Sequence, residues 1–437
     1  MKIELLVFPK WIITVNAQNQ VLTEHALAIQ EGKIHAILPV AEARQLDAEQ
    51  IIELPQHAVM PGFINAHTHS PMSLLKGLAD DLPLMDWLQN HIWPAEAKWA
   101  DAEFVQQGSA LAIAEMLRSG TTCFNDMYFF PEATVEAVKQ AGIRACIGLI
   151  MIDFPTAWGT GPDDYISKGL ALHDQLQDNP LITTTFAPHA PYTVSDEPLQ
   201  KILHLACELD SPIHMHIHET AFEVMQAVEQ TGERPLERLA RLGLLDKHLL
   251  AVHMTQLSEA EIQLIADKQI HVIHCPESNL KLASGFSPVA KLLAAGVNVA
   301  LGTDGNASNN DLDMLGEMRT AALIAKAVAH DAAAVPASQA IRMATINGAK
   351  ALGLDEQIGS LEVGKAADMI AIDLGTIEAN PLYEPISQIV YCTTREQITH
   401  TWVAGQMLMQ NRQLTTLNTA ALLENARYWQ QKIGVFA

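Results

Sequence analysis

The stretch Val59–Gly77, "VMPGFINAHTHSPMSLLKG", sets an apolar run before two histidines, His67 and His69, one residue apart. In an extended segment, side chains at i and i+2 share a face, so both imidazoles can close on one point if Val59–Asn65 is a strand. A lone His-x-His is equally compatible with an ordinary strand end, so its meaning depends on what the rest of the chain brings to it. Seven further strand-like runs follow: "GTTCFND", "GIRACIGLI", "LITTTFAPHA", "SPIHMHIHE", "LLAVHMT", "IHVIHCPES" and "VNVALGTDG". Helix-like segments such as "DAEFVQQGSALAIAEMLRSG" and "SPVAKLLAAG" separate them, each stopped by a Gly just past its apolar face. Eight such runs alternating with helices predict an α/β fold, a (β/α)8 TIM barrel.

Outside this array the chain alternates in short bursts. "KWIITVNAQNQVL" and "HALAIQEGKIHAIL" come first, the second turning at Glu31-Gly32-Lys33, and "GSLEVGKAADMIAIDL" and "HTWVAGQMLM" come last. Two β-rich ends predict one small β-sandwich domain built from both. The expected division is 1–57 for its N-terminal part, 58–358 for a metal-dependent barrel, and 359–437 for its C-terminal part plus a terminal helix.

Composition bounds the partners. With 437 residues, 49% of them hydrophobic, the chain can bury a large core. The 27 Lys and Arg against 50 Asp and Glu give a net charge of -23, which repels nucleic acid and anionic membrane surfaces and suits small neutral or cationic ligands. The opening "MKIELLVFPKWIITVNAQNQ" breaks its apolar residues with Lys10, Asn16 and Gln18 and does not read as a signal peptide, and no run is apolar enough to span a bilayer. Cys123, Cys146, Cys207, Cys275 and Cys392 are scattered without a Cys-x-x-Cys, which predicts reduced thiols and a cytoplasmic setting.

In a barrel, the loops after the strands converge on one mouth, and polar residues collect there in this sequence. They are His67 and His69 after the first strand, His189 after the fourth, His216 and Glu219 after the fifth, His253 on the sixth and Asp304 after the eighth. Imidazoles with a carboxylate suit Zn2+ or Fe2+. His214, His216 and His218 share one strand face, so spacing leaves the choice among them open. His274 is expected to be a hydrogen-bonded barrel histidine, and Trp87 taken alone reads as core. "HETAF" lacks the second histidine of the zinc-protease helix, Phe222 standing in its place, and no Pro-Cys-x-x-Cys of the cytidine-deaminase fold occurs.

"PGFINAHTHS", "HIHE", "AVHM", "CPESNLKLASG" and "LGTDGNASNN" together resemble the amidohydrolase superfamily, nearest to its branch of 5′-methylthioadenosine/S-adenosylhomocysteine deaminases and chlorohydrolase relatives. The resemblance implies one metal per chain, Zn2+ with Fe2+ as the alternative, held by His67, His69, His216 and Asp304. It implies catalytic roles for Glu219, His253 and Asp304, and a nucleoside pocket lined by Trp87, Glu96, His189 and Glu219. The fourth strand has no lysine of the kind that, carboxylated, bridges two metals in the hydantoinase-like branch, so one metal is expected.

The implied reaction is hydrolytic deamination at C6 of an adenosine-type nucleoside, with guanine or oxopurine deamination and triazine dechlorination as the alternatives from the same branch. A noncatalytic metal-binding scaffold would have no need of Glu219 and His253. Relatives accepting S-adenosylhomocysteine are expected to hold its carboxylate with arginines after the third strand. Here "CIGLIMIDFPTAWGTGPDDYIS" has no Lys or Arg between Arg144 and Lys168, while Leu149, Ile150, Met151, Ile152 and Phe154 offer apolar contact. The expected order is therefore 5′-methylthioadenosine, adenosine, then S-adenosylhomocysteine, with a small-molecule substrate as the only partner besides a homo-oligomer.

Overall fold

The structure is a computed structural model and describes residues 2–434. Eight parallel strands follow one another around the barrel in chain order: Phe63–Thr68, Thr121–Asp126, Arg144–Met151, Ile182–Pro188, Ile213–Ile217, Leu249–His253, His271–His274 and Val299–Leu301. Their residues are buried almost throughout, because helices cover the outside while side chains fill the interior. The eighth strand meets the first through a bridge between Thr68 and Asp304 and through the Asp304 N–H, which donates to the His67 carbonyl at 3.0 Å. Asn65 fastens the same seam: its Oδ1 accepts from the Thr303 N–H at 3.0 Å and its Nδ2 donates to Thr303 Oγ1 at 2.8 Å. Only glycine fits at 302, where a Cβ would stand 2.8 Å from the His67 backbone nitrogen. Closing the ring is what carries Asp304 to His67.

The β-rich ends form one continuous nine-stranded mixed sheet. Its centre is Ala48–Pro61, which runs parallel to Ile3–Ile13 on one side and antiparallel to Met369–Asp373 on the other. Leu5, Ile29, Val59, Met369 and Trp402, drawn from both arms, share one apolar cluster. The run beginning at Val59 is therefore two strands: Val59, Met60 and Pro61 end the sheet strand, and the barrel strand starts at Phe63. Gly62 is the crossing point, where a Cβ would fall 2.1 Å from the Thr122 side chain. Both strands are extended and enclosed there, so the sequence pattern carries no mark of the change of sheet. Arg144 locks the two bodies together from the third barrel strand, with Nε 2.8 Å from Asp368 Oδ2 and Nη2 3.2 Å from Oδ1. Removing one partner of a pair so buried costs about 3–5 kcal/mol.

Over the barrel mouth, residues 78–100 form a cover of short pieces, Leu84–Trp87, a π turn at Leu88–Ile92, and Trp93–Trp99. The following helix, Ala102–Arg118, starts where the Asp101 carboxylate accepts from the Phe104 N–H at 2.9 Å. The terminal helix Thr419–Gly434 packs on it: Trp429 meets Phe104 edge-on at 5.2 Å, and its indole N–H donates to Gln107 Oε1 at 2.8 Å. Trp87 and Ile92 of the cover join the same apolar cluster. Among the described residues, no helix is long and apolar enough to cross a membrane.

Candidate active site

His67, His69, His216 and Asp304 converge at the mouth, each offering a ligand atom, all within 4.8 Å of one another. Their other atoms are already committed. The Nδ1–H of His69 donates to the Met127 carbonyl at 2.6 Å and that of His216 to the His189 carbonyl at 2.8 Å. His67 Nδ1 lies 2.8 Å from His214 Nε2. Asp304 Oδ2 accepts from Ser278 Oγ at 2.6 Å and Ser308 Oγ at 2.8 Å. What remains are three Nε2 atoms and Asp304 Oδ1, with Oδ1 3.2 Å from Nε2 of both His67 and His69. This donor set fits one divalent cation of the zinc type, with its outer partners in place.

The protonation states divide: burial would lower the pKa of His69, but Asp304 outweighs it and raises the ring to about 9, so its ligating form requires loss of a proton, whereas the other two imidazoles are held neutral. Burial holds His67 down to about 4 and His216 well below the ordinary histidine range, so both favour the neutral, ligating form. Burial alone would raise the pKa of Asp304, but hydrogen bonds from His67 and His69 outweigh it and keep the carboxylate ionised. Asp304 and His253 both have left-handed backbones, at φ 64° and 73°, a strain that the ring closure and neighbouring loops hold in place.

Glu219 and His253 stand beside the donor group. The Nδ1–H of His253 donates to Asn279 Oδ1 at 2.9 Å, which leaves Nε2 as an acceptor, 3.9 Å from Glu219 Oε2. The Glu219 backbone is pinned by its N–H to Glu223 Oε2 at 2.7 Å and its carbonyl to Thr255 Oγ1 at 2.7 Å. Burial, which outweighs the nearby His253, raises the Glu219 pKa above the usual carboxylate range.

His69, His216, Asp304, Glu219 and His253 line a cavity of about 490 Å3, a size suited to a small organic ligand, while His67 lies behind them. Trp87, Glu96 and His189 all line it. Trp87 is buried, as a core reading predicts, yet its indole nitrogen has no protein partner and it borders the cavity. Burial pushes Glu96 up to about 7, against the opposing effects of Tyr128 and His69. His189 Nδ1 pairs with Thr193 Oγ1 at 3.0 Å, and its ring lies 4.8 Å from that of His216.

Other expectations separate. His214 lies beneath His67, and His218 turns away, its Nε2 accepting from the Leu236 N–H at 3.3 Å. His274 is buried in the barrel and stands outside the donor group, and its Nδ1 has no protein partner. Ile150, Ile152 and Phe154 line the cavity, whereas Leu149 and Met151 fall on the alternate face of the strand; Leu149 would touch a Cβ at Gly169 of the outer helix. Ser278, Ser308, Asn279 and Tyr128 were not singled out by sequence. The first three lie inside the quoted motifs, where only the fold shows which atom each one holds.

The Amidohydrolase family model matches residues 58–408. The chain belongs to the amidohydrolase family. Family relatives match nearly end to end. A 5-methylthioadenosine/S-adenosylhomocysteine deaminase of Teredinibacter turnerae is 51% identical over 97% of this chain and 96% of its own length. One of Saccharophagus degradans is 52% identical over 98% of this chain and 97% of its own. The crystal structure of an adenosine deaminase from Xanthomonas campestris with bound zinc superposes with a TM-score of 0.98 at 52% identity, covering 99% of both chains. An atrazine chlorohydrolase from Arthrobacter aurescens, at 22% identity and a TM-score of 0.90 over 97% of this chain and 99% of its own, shares the fold.

Proposed function

We propose that the protein hydrolyses the C6 amino group of an adenosine-type nucleoside, releasing ammonia and a 6-oxo purine. On this reading 5′-methylthioadenosine is preferred, adenosine is used less well and S-adenosylhomocysteine is the poorest of the three. One observation carries the reading: three of the four donor residues, His69, His216 and Asp304, line one cavity with Glu219 and His253, and that lining, among the described residues, contains no Lys or Arg. The names of the relatives that are 51% and 52% identical over nearly their whole length support it.

His67, His69, His216 and Asp304 would hold one Zn2+, or Fe2+ by the same donor preference. Bound there, the ion supplies Lewis acidity that brings the pKa of a water toward neutrality. The residues of the chain manage the protons and the pose. Glu219, held above the ordinary carboxylate range, keeps a proton to give to ring N1 as oxygen adds to C6, so the ring electrons have somewhere to go. His253, with Nδ1 anchored on Asn279, turns an acceptor nitrogen toward the incoming water. Asp304 takes one water proton and passes it to the departing amine while its Oδ2 stays fixed by the two serines, and the second water proton returns to Glu219 as the C6 carbonyl forms. Glu96 accepts from the ribose hydroxyls and Trp87 covers the nucleoside, both from the 78–100 cover.

A nucleoside panel followed by the ultraviolet change from adenine to hypoxanthine, with ammonia measured in parallel, tests the reading. Ammonia release from 5′-methylthioadenosine with the stated order is the expected result. No release from any of the three by metal-loaded protein overturns deamination, and S-adenosylhomocysteine equal to 5′-methylthioadenosine overturns the order.

A further inference from the structure

Part of the cavity lining takes no part in the proton chemistry. Phe129 and Phe130 from the loop after the second barrel strand, and Phe154 and Trp158 from the loop after the third, make it an aromatic wall. Trp158 is 5% exposed, and its indole N–H donates to both carboxylate oxygens of Glu132, at 3.1 Å each. Glu132 sits in the first turn of the helix Pro131–Ala141, directly after the two phenylalanines, so this contact joins the two loops. The Trp158 backbone is held as well. Its carbonyl accepts from Lys168 Nζ at 2.5 Å, and its N–H donates to Thr156 Oγ1 at 3.2 Å, itself 2.8 Å from the Tyr165 hydroxyl. An indole with its ring nitrogen, carbonyl and amide all committed is a fixed surface.

The charges around this wall sum to negative: Lys168 Nζ stands 5.8 Å from the Trp158 ring centroid but is matched by Asp164, and Glu132 adds a second carboxylate. Lys168, in the helix Pro162–Leu176 that follows the loop, bonds to the Trp158 carbonyl and to Asp164 Oδ2 at 3.0 Å, and it does not line the cavity. The charged group directly behind the indole is the Glu132 carboxylate. A ligand group arriving here meets aromatic carbon backed by negative charge, which favours a thioether against the ring and disfavours an anion.

We propose that Trp158 and Glu132 form the selectivity device of this wall. Trp158 contacts the 5′ substituent, and Glu132 is a positioning residue that fixes the indole and supplies the charge behind it. Together they commit the cavity to small uncharged 5′ groups and reject those carrying a carboxylate. The inference rests on the nucleoside reading above, with the base at the donor group.

The test is kcat/KM for 5′-methylthioadenosine, adenosine and S-adenosylhomocysteine with full-length, metal-loaded wild type, Trp158→Ala, Trp158→Phe and Glu132→Gln. Trp158→Ala should lower the methylthioadenosine-to-adenosine ratio about tenfold, chiefly through KM for methylthioadenosine. Trp158→Phe keeps a ring but cannot donate to Glu132, so it should lower the ratio less, and it serves in place of the alanine variant if that does not fold. Glu132→Gln keeps an acceptor for the indole and removes the charge. It should hold the methylthioadenosine-to-adenosine ratio within about twofold and raise the S-adenosylhomocysteine-to-methylthioadenosine ratio about fivefold. An unchanged first ratio in the Trp158 variants, or an unchanged second ratio in Glu132→Gln, overturns the proposal. Wild type inactive on all three overturns the nucleoside reading instead.

Discussion

The two parts of the site are built on opposite plans. In the metal part the groups sit on or just after barrel strands, and each has a second atom already bonded: His69 to Met127, His216 to His189, His253 to Asn279, Asp304 to two serines. The rest of the lining comes mostly from loops and from the 78–100 cover, with Ile150 from the third barrel strand, and it works mostly by apolar area. Chemistry needs donors fixed to within fractions of an ångström, which paired strands supply, whereas selection among substituents needs shape and charge that loops can vary. Variants in the first part should therefore act on metal content and kcat, and variants in the second on KM.

The largest effect is expected for Asp304→Ala, which removes a candidate ligand and a proton acceptor together. Turnover should fall by at least about a thousandfold and metal per chain, near one in the wild type, should drop in elemental analysis. Full metal content with normal turnover would break the assignment of this part. Glu219→Gln comes next. It keeps shape and metal but removes the proton relay, so kcat should fall by at least about a hundredfold at unchanged metal content. The double variant Ser278→Ala/Ser308→Ala frees Asp304 Oδ2, and zinc affinity measured by chelator competition should weaken by about tenfold or more. Unchanged affinity would mean the ring closure alone orients Asp304.

Glu96 gives the smallest effect and the sharpest contrast. Ribose hydroxyls donate, so they bind its ionised form, while burial favours the protonated form up to about 7. With the folded pKa raised, the contribution of Glu96 to stability is present below the ordinary carboxylate range and is lost as pH rises through about 7. Nucleoside binding runs the other way. kcat/KM should climb with pH toward about 7 as Glu96 ionises, until loss of the Glu219 proton turns it down, and Glu96→Gln should flatten the rising limb while lowering kcat/KM about tenfold through KM. A loss in kcat as deep as that of Glu219→Gln would erase the distinction between the two parts.

The sequence by itself determined the eight strand runs, the β-rich ends and the set of mouth residues, because strand periodicity and burial are written locally in residues such as Phe63–Thr68 and Ile213–Ile217. Within "HMHIHE" it left three histidines on one face, and the choice of His216 came from family resemblance rather than from spacing. Tertiary structure separated them, since each ring's partner lies on a different segment: His67 of the first strand over His214, the His189 carbonyl of the loop after the fourth strand beside His216, and the Leu236 amide of the helix Pro235–Leu242 against His218. The change of sheet at Gly62, the serines behind Asp304 and the grip of Glu132 on Trp158 were likewise decided only by the fold. Each depends on a distance between segments remote along the chain or on an approach that one side chain forbids, and local sequence pattern encodes neither.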